Sequence, residues 1–292
     1  MHRGEPRGEL KRKEGIMEIS GIKAVYFSAV GNTRKVVDAI CITLSDELGV
    51  PVETVDFTLP DSRKSERTFG PEDLVIFGTP TYAGRVPNKV LPFVQTLFHG
   101  QNTPAVSVVT FGNRNFDSSL TELTEELGKN GFKVFGAGAF ACRHVFSDII
   151  ADGRPDVRDM ETLFVFARRI AELVDAVENA DSLEVPKIRD GAPVAPYYTP
   201  LGMDGQPAKF LKAKVVTDPT KCDRCGQCAR VCPMGSISHE NVQEVPGVCI
   251  KCHACVRKCP RGAKHFEDPA FLSHVEYLEK NYQRRAEPEI YI

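Results

Sequence analysis

Eight of the chain's ten cysteines fall in two copies of one spacing. The first copy, CDRCGQCARVCPMGS, begins at Cys222, and the second, CIKCHACVRKCPRGA, begins 27 positions later at Cys249. In each copy the cysteines follow the pattern C-x2-C-x2-C-x3-C, and a proline comes directly after the fourth. A repeat this short predicts two small units that pack against each other, because neither can form a core alone.

This spacing is the bacterial ferredoxin pattern, in which the fourth cysteine ligates the neighbouring cluster. Three thiolates at i, i+3 and i+6 let a tight loop surround one corner of a cube of iron and sulfur. The fourth thiolate, followed by a chain-turning proline, reaches across to the second cube. The sequence therefore predicts two [4Fe–4S] clusters, one held by Cys222, Cys225, Cys228 and Cys259, the other by Cys249, Cys252, Cys255 and Cys232.

Zinc and disulfides explain the cysteine repeat less well. Zinc sites take four ligands from paired C-x2-C units and leave the third cysteine and the prolines without a role. Disulfides require an oxidising compartment. The first fifteen residues contain no apolar run typical of a secretory signal. No run of eighteen apolar residues occurs, so we expect no membrane span and a cytoplasmic location.

The first part of the chain has the pattern of an α/β domain. Five apolar runs, IKAVYF, VETVDF, DLVIFG, PAVSVVTF and FKVFGAGAF, alternate with amphipathic helical stretches. Short strands alternating with helices predict a five-stranded, doubly wound parallel sheet. One competing motif, GAGAFA at 136–141, fits the dinucleotide pattern G-x-G-x-x-A but lies inside the fifth run, so we interpret it as a buried strand.

The rest of the chain has a different composition. Six prolines between Pro186 and Pro219 mark an extended linker that carries several aromatic residues. The predicted organisation is a flexible tail at 1–19, the α/β domain at 20–184, the linker at 185–220, a small α+β two-cluster domain at 221–268, and a C-terminal helix and tail at 269–292. Residues 221–266 hold eight Lys/Arg and three Asp/Glu, whereas the whole chain has a net charge of −2. The excess of positive charge in residues 221–266 either raises the reduction potentials of the clusters and attracts an acidic partner, or only keeps a small domain soluble.

The first predicted strand ends in SAVGNT, and a helix follows at once. Backbone N–H groups and the positive end of a helix dipole make such a junction a phosphate site. The segment resembles the flavodoxin phosphate loop, T/S-x-T-G-N-T, in which Ser28, Gly31, Asn32 and Thr33 match. Val30 replaces a hydroxyl residue, although its backbone amide can still donate. The alternative is an ordinary strand–helix turn in which Asn32 or Thr33 caps the helix.

Two more loops follow the third and fourth predicted strands, at the sheet edge where doubly wound folds bind ligands. GTPTYAGRVPN at 78–88 and TFGNRNFD at 110–117 resemble the flavin-ring loops of flavodoxin-like proteins. This resemblance implies FMN as the cofactor, with Tyr82 stacked on the isoalloxazine and Phe116 as a second candidate. The other implied FMN residues in these loops are Pro80, Thr81, Ala83, Gly84, Thr110, Gly112, Asn113, Arg114 and Asp117. Arg114 near the flavin N1 would stabilise an anionic reduced flavin; alternatively it pairs with Asp117 or faces solvent.

Taken together, the segments resemble the flavodoxin–ferredoxin fusion family, found largely in anaerobes. The resemblance implies an electron carrier that converts between one-electron transfer at the clusters and two-electron transfer at FMN. Its expected partners are redox proteins or a small electron acceptor, with no nucleic acid, and the charge distribution permits a homodimer. Two alternatives remain open. One is a flavin-dependent reductase of a small organic acceptor or quinone fed by the ferredoxin domain; the other is a protein with structural or sensory clusters and no flavin.

Overall fold

The computed structural model describes residues 17–189 and 193–292. Most of the predicted flexible tail, residues 1–16, lies outside the described residues. The prediction was wrong for the end of that tail, because Met17 and Ile19 are 6% and 4% exposed and pack into the core of the first domain. The amide of Met17 also donates to the carbonyl of Val177 at 2.7 Å.

The strands and helices follow the alternation expected from the sequence. In chain order they are β1 Gly21–Tyr26, α1 Asn32–Leu48, β2 Val52–Asp56, β3 Arg67–Phe69, β4 Asp73–Pro80, α2 Leu91–Leu97, β5 Phe98–Gly100, β6 Thr103–Phe111, α3 Ser119–Lys129, β7 Phe132–Ala141, α4 Val157–Ala176, β8 Val216–Thr217, α5 Gln227–Arg230, α6 Ala254–Arg257, β9 Lys264–His265, α7 Pro269–Asn281 and β10 Glu289–Tyr291. Short 3-10 helices occur at Pro60–Arg63 and Ala180–Ser182.

The main sheet has the order β10-β7-β6-β4-β1-β2, with β10 antiparallel and the other strands parallel. Its five parallel strands are the five predicted ones. Numbered along the chain, they lie across the sheet in the order 2-1-3-4-5, which is that of flavodoxin-like folds. Helices α1 and α4 pack on one face of the sheet, and α2 and α3 pack on the other. Because both faces are covered, all nine residues of β6 are buried, which explains the continuous apolar runs in the sequence.

The C-terminal segment adds a sixth strand that the sequence analysis did not predict. Residues of β10 pair with Ala137–Ala139 at the edge of β7 and so supply partners for its free backbone groups. Two ion pairs fix the approach of this segment. Arg154 binds Asp159 and donates to the carbonyl of Ala286 at 2.8 Å, and Arg285 lies 3.0 Å from Asp159. The predicted C-terminal tail is therefore part of the sheet. The sequence did not indicate this strand, because a run of three residues is too short to show a strand pattern.

The cysteine region repeats its backbone as well as its sequence. Helices α5 and α6 lie 27 positions apart, like the cysteines that flank them. In both copies the amide four residues beyond the fourth cysteine donates to that cysteine's Sγ at 3.3 Å. Positive φ angles also match in pairs, at Arg224 and Lys251, Gly226 and His253, and Gly235 and Gly262. The two copies therefore form the same loop, as the repeat predicts.

The Pro-rich linker lies on the first domain, next to the loop that follows β4. The amide of Tyr198 donates to the carbonyl of Ala83 at 2.8 Å, and the hydroxyl of Tyr197 donates to the carbonyl of Val86 at 3.0 Å. Across residues 17–189 and 193–292, no helix is both long and apolar enough to cross a membrane.

Candidate functional site

A cleft lies at the carboxyl edge of the sheet, where the three predicted loops meet. The structure places twelve of the sixteen predicted FMN residues in its lining. They are Ser28, Val30, Asn32, Thr33, Pro80, Thr81, Tyr82, Ala83, Gly84, Thr110, Gly112 and Arg114. Loops separated by up to 80 residues in the sequence thus form one continuous surface.

The loop before α1 presents unpaired backbone donors. Gly31 has a φ of 99°, in the left-handed region that favours glycine, and it turns the chain into the helix. In the described part of the chain, no group accepts a hydrogen bond from the amides of residues 30–33. The hydroxyl of Ser28 accepts from the amide of Arg34 at 3.0 Å, and Thr33 is hydrogen-bonded to Thr110 at 2.8 Å. Four free amides at the N-terminus of a 17-residue helix fit an anionic group such as a phosphate.

Three of the predicted residues have a role different from the expected one. Asn113 is 2% exposed, and its side chain binds the backbone of the C-terminal segment instead of a ligand. Phe116 is buried against Phe111, with ring centroids 5.5 Å apart, and does not line the cleft. Asp117 forms an ion pair with Arg114 behind the cleft wall.

Arg114 adopts the second of its predicted arrangements, the ion pair with Asp117. Its guanidinium also lies over the ring of Tyr198, 3.9 Å from the centroid. Arg114 still lines the cleft, so its charge acts there together with that of a nearby carboxylate. Burial raises the pKa of Tyr198 to about 12, so this phenol is neutral at physiological pH.

The opposite wall of the cleft comes from the second half of the chain, and the sequence analysis missed it. Its residues come from the linker, from the loop before Cys252 and from α7. They are Tyr198, Pro200, Phe210, Ile250, Lys251, His274 and Leu278. The two consecutive tyrosines in the linker were a signal for such a role, whereas the sequence analysis assigned no role to the residues of the C-terminal helix.

The described lining of the cleft includes the cations Arg114, Arg143 and Lys251 and no aspartate or glutamate. Arg114 is paired with Asp117, and Arg143 with Asp148, just outside the lining. His144 also lines it, and its Nδ1 accepts from the amide of Phe146 at 3.1 Å, which leaves the proton on Nε2. Burial, together with the charges of His274, Arg114 and Arg257, lowers the pKa of His144 to about 3. The imidazole is therefore a neutral donor at physiological pH.

The eight repeated cysteines surround two smaller cavities. Cys232, Cys249, Cys252 and Cys255 line the larger cavity, and Cys222, Cys225, Cys228 and Cys259 line the smaller one. These are the two sets that the crosswise ligation pattern predicts. Within the described residues, no three His, Cys, Asp or Glu side chains converge as they would around a single metal ion.

The two cavities differ in their access to solvent and to the cleft. The smaller cavity has one exposed cysteine, Cys225, and one buried, Cys228, whereas the larger one has two buried cysteines, Cys252 and Cys255, and none exposed. Ile250 lines both the larger cavity and the cleft. Burial raises the pKa of Tyr82, and the thiolates of Cys252 and Cys249 raise it further, so this cleft residue lies close to the same cavity.

Comparisons with known proteins found one family model and several solved structures that are similar to parts of the chain. The family model described as a 4Fe-4S dicluster domain matches residues 214–260. Among solved structures, the chain is similar to rubredoxin oxygen:oxidoreductase from the anaerobe Desulfovibrio gigas, with 20% identity, a TM-score of 0.39, and coverage of 55% of this chain and 37% of that one. It is also similar to a flavodoxin of Streptococcus pneumoniae TIGR4, with 19% identity, a TM-score of 0.38, and coverage of 52% and 99%. A third similar structure is a flavodoxin from the domain Archaea, with 16% identity, a TM-score of 0.36, and coverage of 53% of this chain and 98% of that one. No curated protein matches the chain.

Proposed function

We propose that this chain is an electron-transfer protein that holds FMN in the cleft and two [4Fe–4S] clusters in the cysteine cavities. When bound, the clusters exchange single electrons and FMN stores two. The residues of the chain position these groups, exclude water from between them and set their charge.

The cysteine geometry supports two clusters of this kind. Each cavity has four thiolates, three from one copy of the repeat and one from the other, as the spacing rule requires. The amides of Ser236 and Ala263 donate to the fourth cysteine of each copy, which stabilises a ligating thiolate. The dicluster family model covers this part of the chain.

The cleft supports FMN. The free amides of residues 30–33 suit its phosphate, and Tyr82 and the apolar part of the lining suit its ring system. Lys251 forms no ion pair with a described carboxylate and favours bound negative charge, whereas Arg114 and Arg143 are each paired with a carboxylate. Close packing of the loops supports this shape, because a Cβ at Gly112 would lie 2.2 Å from the ring of His144.

One observation carries the proposal: Ile250 forms part of the wall of both the cleft and the buried cysteine cavity. Ligands in these two spaces are separated by little more than one side chain, so electrons can pass within the chain without a diffusional encounter. The exposed Cys225 lies at the other cavity, which is therefore the entry or exit point for an external partner. The flanking Arg224 and Arg230 are exposed and suit an acidic partner.

A reductase would need its substrate to reach the flavin ring. Tyr198, Phe210 and α7 cover the cleft on the side opposite the phosphate loop, which favours the carrier function. The two functions are distinguished by the rate of flavin reoxidation by small organic acceptors. A reductase that binds its substrate gives a rate that saturates with acceptor concentration, whereas a carrier gives a rate that rises linearly.

The proposal is tested by anaerobic reconstitution of the full chain with iron, sulfide and FMN. We expect about eight iron atoms and one flavin per chain, and flavin reduction that follows cluster reduction after rapid mixing with dithionite. Cys252→Ser is expected to slow flavin reduction, whereas Cys41→Ala, in α1 and outside both cavities, leaves it unchanged. Failure to bind flavin, or flavin reduction at the same rate in Cys252→Ser, contradicts the proposal.

A further inference from the structure

Arg63 belongs to the first domain but contacts the cysteine region. It ends the 3-10 helix Pro60–Arg63 and is only 8% exposed. Its Nη2 donates to the carbonyl of Pro233, the residue that follows Cys232. The same helix approaches the next turn of that loop, since a Cβ at Gly235 would lie 3.7 Å from Pro60.

The rest of the Arg63 guanidinium is buried without a partner. Its Nε and Nη1 have no hydrogen-bond partner among the described residues, and no described carboxylate forms an ion pair with it. The ring of Phe93 lies 4.5 Å from its guanidinium carbon, which is a favourable contact but does not neutralise the charge. The other buried arginine, Arg154, is paired with the carboxylate of Asp159. A buried arginine without a counter-ion is strongly unfavourable, so Arg63 requires an anion at this place.

The cavity next to Pro233 supplies a place for that anion. Cys232 is one of the four cysteines around the larger cavity. Burial lowers the pKa of Arg63, and the nearby Cys232 thiolate opposes this effect by favouring the charged guanidinium. A [4Fe–4S] cluster with four thiolate ligands is itself an anion, and it gains a further negative charge on reduction.

We propose that Arg63 is a positioning residue that acts through Pro233: its buried, uncompensated charge lies beside the cluster held by Cys232, Cys249, Cys252 and Cys255 and raises the reduction potential of that cluster. This inference rests on the proposed function. Reduction adds one electron to the cluster and moves no proton, because the arginine is charged in both redox states. The reduced form has the larger negative charge and is stabilised more by the guanidinium.

The two copies of the repeat differ at this point. No described residue of the first domain donates to the carbonyl of Pro260, which occupies the position of Pro233 in the other copy. Arg63 therefore acts on one of the two clusters, whereas the cations that line the other cavity are Arg261 and Lys264. The effect favours electron transfer to the cluster beside Arg63 (the buried cluster) from the one held by Cys222, Cys225, Cys228 and Cys259 (the exposed cluster).

The test uses the full, reconstituted chain and redox titrations followed by electron paramagnetic resonance. The variants are Arg63→Gln and Arg63→Lys, with Lys64→Met as the matched control, because Lys64 is the exposed cation next in sequence. Iron, sulfide and flavin are measured first, so that loss of the proposed cofactors is separated from loss of the proposed effect. A Cys225→Ser variant identifies the signal of the exposed cluster, because Cys225 is one of its four proposed ligands.

We expect Arg63→Gln to make the potential of the buried cluster more negative by at least a tenfold change in its redox equilibrium, about 59 mV for one electron. The exposed cluster keeps its potential, Arg63→Lys restores part of the shift, and Lys64→Met behaves like the parent. An Arg63→Gln chain with full iron content and an unchanged potential overturns the inference. If Arg63→Gln does not assemble its clusters, Arg63→Lys decides, and an unchanged potential and unchanged spectrum in that variant also overturn it.

Discussion

The side chain of Asn113 holds the backbone on both sides of Arg285, with Nδ2 2.6 Å from the carbonyl of Arg284 and Oδ1 accepting from the amide of Ala286 at 3.1 Å. Nδ2 also donates to the carbonyl of Tyr282 at 2.7 Å. A residue that was expected to bind a ligand therefore connects the loop after β6 to the segment between α7 and β10. Through α7, this connection also holds part of the cleft wall in place.

Removal of the Asn113 side chain should destabilise the C-terminal segment. Asn113 has a φ of 70°, so Asn113→Gly removes the three hydrogen bonds without imposing backbone strain. At about 1 kcal/mol for each bond, we expect a loss of about 2–4 kcal/mol, together with faster proteolysis after α7. The measurement is anaerobic urea denaturation and limited proteolysis. Asn115→Gly is the control, since Asn115 is exposed and accepts only from the amide of Asp117; equal losses in both variants would contradict this role.

Val30 offers a test of the phosphate loop. It lines the cleft beside the free amides, at the position where the flavodoxin pattern has a hydroxyl residue. Val30→Thr keeps the shape and adds one donor, so we expect FMN to bind about three- to tenfold more tightly, as one additional hydrogen bond allows. Quenching of flavin fluorescence on titration gives the dissociation constants.

Val30→Ala is the matched control, because it changes size without adding a hydroxyl and should not strengthen binding. Equal or weaker FMN binding by Val30→Thr, with Val30→Ala like the parent, would show that the phosphate does not lie at this loop.

The sequence predicted those parts of the molecule that depend on local patterns. Three thiolate ligands of each cluster come from one short, regular spacing, so the cluster sites can be recognised from the sequence alone. The five parallel strands are buried on both faces, which requires continuous apolar runs such as that of β6. The loops at Ser28, Tyr82 and Gly112 follow directly from the ends of those strands.

The parts that could not be predicted depend on how the two halves of the chain pack together. Tyr198, Ile250 and His274 line the cleft only because the linker, the cysteine loop and α7 lie against the first domain. Arg63 and Pro233 are 170 residues apart in the sequence. No local pattern distinguishes a buried arginine at such a contact from an exposed one, and a three-residue strand such as β10 has no periodicity.

The pair formed by Arg114 and Asp117 should control how strongly the cleft favours a reduced flavin. The two charges compensate each other, so Arg114→Gln alone leaves Asp117 unpaired beside the cleft and should disfavour the anionic reduced state. We expect the flavin potential to fall by about 30–60 mV, one to two tenfold changes for a two-electron couple. The double variant Arg114→Gln/Asp117→Asn removes both charges and should return close to the parent potential. Potentiometric titration of the flavin decides; identical potentials in all three chains would limit the pair to a structural role.

His144 should make the folded protein less stable in acid. Its pKa falls from 6.5 to about 3 on folding, because it is buried and faces His274 on α7, Arg114 after β6, and Arg257 on α6. The unfolded chain therefore binds a proton below pH 6.5 that the folded chain does not bind until about pH 3, so stability falls as the pH falls through this range. Between pH 7.5 and 5 the contribution is up to about 2 kcal/mol, at 1.36 kcal/mol for each pH unit below 6.5.

The variant that tests this is His144→Asn, whose side-chain oxygen can still accept from the amide of Phe146. We expect the apparent urea midpoint to fall less between pH 7.5 and 5 in this variant than in the parent, when both are measured anaerobically. His239→Asn changes an exposed histidine in the cysteine region and should keep the parent's pH dependence. If His144→Asn loses stability with falling pH as steeply as the parent does, the acid sensitivity arises from groups other than this imidazole.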